Sequence, residues 1–163
     1  MGHGYGYGVW LVVKDSNIQQ LVNKHNKNPH VAHITVMCHM TDIDAFKLAK
    51  ELNDNYNVII LNKYILFNDD NYKYSNADNE LSASGCYCIV DQWKEITNIA
   101  KKYRGSIPKI PHLSVAYRNN EKDLPTNIKH VNVKTQATIG AININDSQPS
   151  NWYYINQTKP TRG

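Results

Sequence analysis

The chain has 163 residues, 41% hydrophobic and 20% charged, with a formal net charge of +4. That size suits one domain with a core that needs no disulfides, and no apolar run is long enough to cross a bilayer as a helix. The opening Met1-Gly2-His3-Gly4-Tyr5-Gly6-Tyr7-Gly8 lacks the charged and apolar stretches of a secretory leader, and Gly6 stands where N-myristoylation asks for Ser or Thr.

The three cysteines, Cys38, Cys86 and Cys88, are odd in number, which points to reduced thiols and a cytoplasmic location. Abundant Asn, Ile, Lys and Tyr fit an AT-rich genome of the kind many large viruses carry, and the location would then be the host cytoplasm. Residues 1–90 hold seven lysines against nine acidic residues, whereas residues 91–163 hold eleven basic against five acidic ones. A basic second half suits an anionic ligand such as a nucleotide, or is simply a solvated face.

In chain order, Tyr7 to Val13 is β-branched and aromatic and reads as a central strand. Asp15 or Ser16 caps a helix running to about Lys27, which Asn28-Pro29 stops. His33 to Met37 is a strand, and Thr41 or Asp42 caps a second helix with Ile43, Phe46, Ala49 and Leu52 in helical period. A strand begins at Val58 and extends towards Phe67, and the Asn/Asp-rich stretch 68–80 reads as a loop. Gly85 to Val90 is a strand, and Trp93 to Arg104 a helix ended by Gly105. A strand follows over His112 to Tyr117. Ile128–Thr135, Thr138–Ile144 and Trp152–Ile155 read as a β-meander, and the tail 157–163 as disordered.

Two tetrapeptides stand out, His33-Ile34-Thr35-Val36 and His112-Leu113-Ser114-Val115, with their histidines 79 positions apart. On a strand, alternate side chains share a face, so each His lies beside its hydroxyl while the apolar pair enters a core. One such tetrapeptide is uninformative, and a lone strand histidine is ordinarily structural. Two copies at matching places, each preceded by a helix and a proline, imply a duplicated α+β unit whose motif strands share a cleft open to solvent. The expected layout is one bilobal domain over residues 1–156.

The chemistry follows from the residue types. One neutral histidine takes a proton from water or a ribose 2′-hydroxyl, and a protonated one gives a proton to the leaving oxygen. Thr35 and Ser114 donate hydrogen bonds to the non-bridging phosphoryl oxygens as charge gathers there. Such a site needs neither metal nor other cofactor.

With these motifs the chain resembles the two-histidine (2H) phosphoesterase superfamily, whose signature is a pair of H-x-[ST]-x motifs. The likeness covers the layout of nearly the whole chain, but at residue level only short stretches match. Gly8-Val9-Trp10-Leu11-Val12 is similar to the first strand of plant-type cyclic phosphodiesterases, and Pro111-His112-Leu113-Ser114-Val115-Ala116-Tyr117 to their second motif. The resemblance implies a bilobal α+β fold with antiparallel sheets around a central cleft. It also implies His33, Thr35, His112 and Ser114 as the catalytic set, and Tyr117 as a phosphate or base contact. The first motif departs from the pattern: Cys38 stands where Tyr117 does in the second, and Pro29 lies four residues before His33.

Members act on 2′,3′-cyclic nucleotides, ADP-ribose cyclic phosphate, 2′-5′ oligoadenylates and RNA ends, and viral members destroy cyclic oligonucleotide messengers. The expectation for this chain is a phosphodiesterase of antiviral immune evasion acting on a cyclic oligonucleotide such as cyclic GMP-AMP. The other linkages are the alternatives within the same reaction class. A non-catalytic RNA-binding module is the reading from another class. No membrane and no obligate protein partner is implied.

Tyr5, Tyr7, Trp10, Tyr87, Trp93 and Trp152 are aromatics able to stack on a base. Tyr5 and Tyr7 are chosen because they sit at the mouth of the first strand. Lys14 and Lys109, near strand ends, are candidates for a second phosphate. Cys86-x-Cys88 lacks the spacing of a zinc hairpin and reads as buried thiols. His3, His25, His30, His39 and His130 read as surface or structural.

Overall fold

Alternation along the first strand decides which way the sheet faces. Val9, Leu11 and Val13 of β1 (Tyr7–Val13) enter the main core, while Trp10 and Val12 join a second, smaller cluster on the opposite face. The structure, a computed structural model, describes residues 6–67, 82–126, 128–145 and 149–155. Tyr5, the stretch 68–80 and the tail 157–163 therefore lie outside the described residues.

The fold is α+β: among the described residues there are three α-helices, α1 (Ser16–Lys24), α2 (Asp42–Glu51) and α3 (Trp93–Ala100), and seven strands in one antiparallel sheet. The other strands are β2 (His33–Met40), β3 (Asn55–Phe67), β4 (Ser82–Val90), β5 (His112–Arg118), β6 (Val133–Asn143) and β7 (Tyr153–Tyr154). The order is β1-β2-β5-β4-β3-β6-β7, and β1 also pairs with β6, so the six longer strands close into a ring. The helices bury Ile18 and Val22, Ala45 and Leu48, and Ile96 and Ala100 in the main core.

Local chemistry sets the helix starts. Asp15 caps α1 by accepting from the Ile18 N–H at 3.0 Å, and Thr41 caps α2 by accepting from the Asp44 N–H at 3.1 Å. Helix α3 stops at Ala100, short of the expected Arg104. Gly105 serves another purpose: a Cβ there would come within 2.7 Å of the Cys38 carbonyl, and its absence lets Ser106 bridge to Cys38.

The expected three-strand meander is corrected to the long β6 and the two-residue β7. Thr135, Gln136 and Ala137 look like a break, yet β3 pairs with residues 133–138 and β1 with residues 137–143. Two flanking ladders hold straight what propensity alone would interrupt.

Candidate active site

The motif strands are neighbours. Strand β2 meets β5 at Ile34 opposite Leu113, and both of these side chains are fully buried. In an antiparallel pair this register sets His33 against Ser114 and Thr35 against His112, all four on the face opposite the main core. The two histidines are then diagonal partners, a relation that spans about 7–8 Å between backbones. The spatial relation on which the chemistry depends is present: two imidazoles and two hydroxyls on one patch of sheet.

Each motif strand carries the same irregularity. Trp10 lies opposite Thr35 and Val9 opposite Met37, leaving Val36 as an extra residue in β2. Gly85 lies opposite Ser114 and Ser84 opposite Ala116, leaving Val115 as the extra residue in β5. Val36 and Val115 are the fourth residues of their tetrapeptides. A bulge re-aims the side chains beyond it. Five positions after each histidine, Cys38 and Tyr117 accordingly both turn into the second cluster. Gly85 makes the β5 bulge possible, because a Cβ there would lie 1.9 Å from the Leu113 carbonyl oxygen.

The imidazoles are oriented alike. His33 Nδ1 lies 2.7 Å from the carbonyl of Val31, and His112 Nδ1 lies 2.8 Å from the carbonyl of Ile110, each two residues upstream. A carbonyl only accepts, so Nδ1 carries the proton in both rings, and Nε2 is left as the basic atom.

No family model, no curated protein and no solved structure matches this chain.

The aromatic surroundings differ from the expectation. Trp10 stacks on His33 with ring centroids 3.4 Å apart and planes 7° from parallel. Trp152, just before β7, meets His33 edge-on at 6.2 Å, Trp10 at 5.8 Å and Tyr117 at 5.5 Å. The expected open cleft is thus filled: His33 is 2% exposed, Ser114 3%, Thr35 6% and His112 8%. Aromatic faces close over the hollow because leaving them in water would cost more than packing them together.

His30, read from sequence as surface or structural, is part of this cluster. It is buried, its ring is edge-on to His33 at 5.8 Å and to Tyr117 at 4.9 Å, and its Nε2–H donates to the Ser114 carbonyl at 2.9 Å. Gln19 of α1 grips the same segment, accepting from the Ala32 N–H and donating to the His30 carbonyl, each at 2.8 Å. Further along, Asn26 donates to the Val115 carbonyl at 2.7 Å, and Arg118 donates to the His25 carbonyl and to Asn26. Polar side chains thereby tie the approach to β2 onto β5.

Burial sets the charge state. Loss of water lowers the pKa of His30 to about 4. It holds His33 well below the usual histidine value, with further lowering by His30 and His112. His112 is lowered by burial too, against the hydrogen bond to Ile110. All three rings are neutral at neutral pH. The expected pair of one neutral and one charged histidine is thus not the resting state.

The remaining candidates separate. Tyr117 belongs to the aromatic cluster. Tyr7 does not flank the motif histidines: it packs against the main core, and burial, with Asp42 of α2, raises its pKa. Strand alternation gives the reason, since Tyr7 points the way Val9 and Leu11 do. Lys14 follows the end of β1 and Lys109 precedes β5, both exposed. Trp93 packs against the main core. Trp10 and Trp152 are the aromatics that meet His33, one stacked on its ring and the other edge-on. The three thiols are buried, which pushes Cys38 and Cys86 up to about 12, and Cys86 pairs with His130 Nε2 at 3.1 Å. Among the described residues no three His, Cys, Asp or Glu converge on a metal position, and no helix is long and apolar enough to cross a membrane.

Proposed function

We propose that this chain is a 2H phosphodiesterase, built on the family's duplicated bilobal plan, that opens a phosphodiester bond in a small nucleotide. The preferred substrate is a cyclic oligonucleotide such as cyclic GMP-AMP. The observation that carries the reading is the single pairing of Ile34 with Leu113, which sets both histidines and both hydroxyls on one face.

The roles follow from the surroundings. His33 is the more deeply buried ring, stacked under Trp10 and next to His30, so a proton rests on it less readily than on His112. An arriving phosphodiester supplies the negative charge that draws a proton onto His112 Nε2. His33 Nε2 then takes the proton of the attacking water or 2′-hydroxyl while His112 returns its own to the leaving oxygen. Thr35 and Ser114 donate to the equatorial oxygens, where charge accumulates. The proton lost by the nucleophile and the one gained by the leaving group balance, and the histidines exchange states.

The test is incubation in chelator with cyclic GMP-AMP, 2′-5′ oligoadenylate, 2′,3′-cyclic AMP and ADP-ribose cyclic phosphate, with products separated by chromatography. One of these should be turned over, and His33→Ala and His112→Ala should each slow it by about 10²–10⁴-fold. Turnover that survives both substitutions, or salt-sensitive RNA binding with no product from any substrate, would overturn the proposal.

A further inference from the structure

Strand β3 slips against β4 between Ile60 and Tyr64. Ile60 lies opposite Cys88 and Tyr64 opposite Cys86, so Leu61, Asn62 and Lys63 together face the single residue Tyr87. Extra residues in a strand leave the ladder and aim their side chains elsewhere, a device found repeatedly beside active sites. This one is pinned, because the Asn62 N–H donates to Asn132 Oδ1 at 2.6 Å. It places Lys63 Nζ 5.3 Å from the centre of the Tyr87 ring. Tyr87 in turn is the β4 residue directly opposite His112, and directly opposed side chains share a face. Lys63 is exposed and Tyr87 half-buried, whereas the motif residues beside them are buried. A cation therefore stands at the rim of the motif face, on the His112 side. It forms no ion pair with another described residue.

We infer that Lys63 and Tyr87 form a second anion subsite that takes the next phosphate of a di- or oligonucleotide whose scissile phosphate lies between His33 and His112. The inference rests on the phosphodiesterase reading above and narrows its substrate class. A lysine ammonium is a compact, mobile point charge suited to a phosphate oxygen, and the ring beneath it limits where that charge can go. A cyclic mononucleotide has one phosphate, which the histidine pair occupies, so it leaves Lys63 idle. A cyclic dinucleotide has two, and the second has to find a partner beyond the buried motif residues. Lys63 is the cation that the bulge brings to that position.

The experiment compares wild type with Lys63→Gln on cyclic GMP-AMP, which has two phosphates, and on 2′,3′-cyclic AMP, which has one. Loss of one charge-assisted contact should raise KM for cyclic GMP-AMP about tenfold and leave kcat unchanged. KM for 2′,3′-cyclic AMP should stay within about twofold, the range expected for an idle surface cation. The salt dependence of the dinucleotide KM should also weaken in the variant. Equal effects on both substrates, or none on the dinucleotide, overturn the subsite. Should wild type turn over neither, the phosphodiesterase reading fails only if 2′-5′ oligoadenylate and ADP-ribose cyclic phosphate are also left intact, and the subsite is decided by quenching of tryptophan fluorescence on titration with cyclic GMP-AMP. There Lys63→Gln should lose about tenfold in affinity. No binding by wild type, or equal binding by both proteins, overturns it.

Discussion

Acid should loosen this protein well before its carboxylates are protonated, and His30 allows the effect to be worked out. In the folded chain its pKa is about 4, held down by burial, against about 6.5 when unfolded. The unfolded chain therefore binds the proton more tightly. The stabilisation from a neutral His30 is complete above the unfolded value and is lost as pH falls from there towards the folded one. With these two pKa values the loss is about 2 kcal/mol by pH 5 and about 3 kcal/mol by pH 4. His33 and His112 are depressed in the same direction and add to it. The assay is urea unfolding at a series of pH values from 7.5 to 5, followed by tryptophan fluorescence. Because most carboxylates titrate below this window, the slope belongs to histidines. His30→Gln keeps a side-chain N–H for the Ser114 carbonyl but does not titrate. It should flatten the curve, reducing the loss between pH 7.5 and 5 by about 2 kcal/mol. Identical slopes for wild type and variant would refute the reasoning, as would stability that rises on acidification.

Other substitutions read different parts of the site. Gly85→Ala forces a Cβ against the Leu113 carbonyl oxygen and should cost about 2 kcal/mol or more, with the fall in urea midpoint as the check. Trp152→Ala uncovers one side of His33 and should raise the pKa of that ring, followed in histidine Cε1–H NMR titrations; an unmoved pKa would show that Trp152 does not desolvate it. Ser114→Ala and Thr35→Val should lower kcat more than they change KM, because their hydrogen bonds strengthen as the phosphoryl group gains charge. Nucleotide affinity should increase as pH falls from 8 towards 6, since binding puts a proton on His112; isothermal calorimetry in buffers of different ionisation enthalpy would register the uptake.

Much of the local structure was legible from residue types. The alternation in His33-Ile34-Thr35-Val36 and its counterpart fixes which side chains share a face, and Asp15 and Thr41 start their helices, although the first helix ends at Lys24 rather than running to Lys27 and Pro29. What remained hidden depends on distant segments. Nothing near Ile34 says that Leu113 will sit opposite it. Simple alternation from Ser114 would send Tyr117 into the main core, and only the extra residue at Val115 turns it to join Trp152. Trp10 and Trp152 look like ordinary core aromatics until the fold stacks one on His33 and sets the other against its edge. His30 sits in a loop, where a histidine is ordinarily solvated, and it is buried because Gln19 and the Ser114 carbonyl draw that loop inward.

The seam between the motif strands has a further consequence. Strands β2 and β5 have one register pair between them, while each is laddered to its other neighbour over several. The seam is held instead by His30, Asn26 and Arg118 reaching across it. Side-chain contacts from the end of α1 and the loop before β2 therefore supplement the one backbone pair that sets the two imidazoles on a common face. Single substitutions near the end of α1 could widen or narrow the gap between the two rings without rebuilding either half of the sheet.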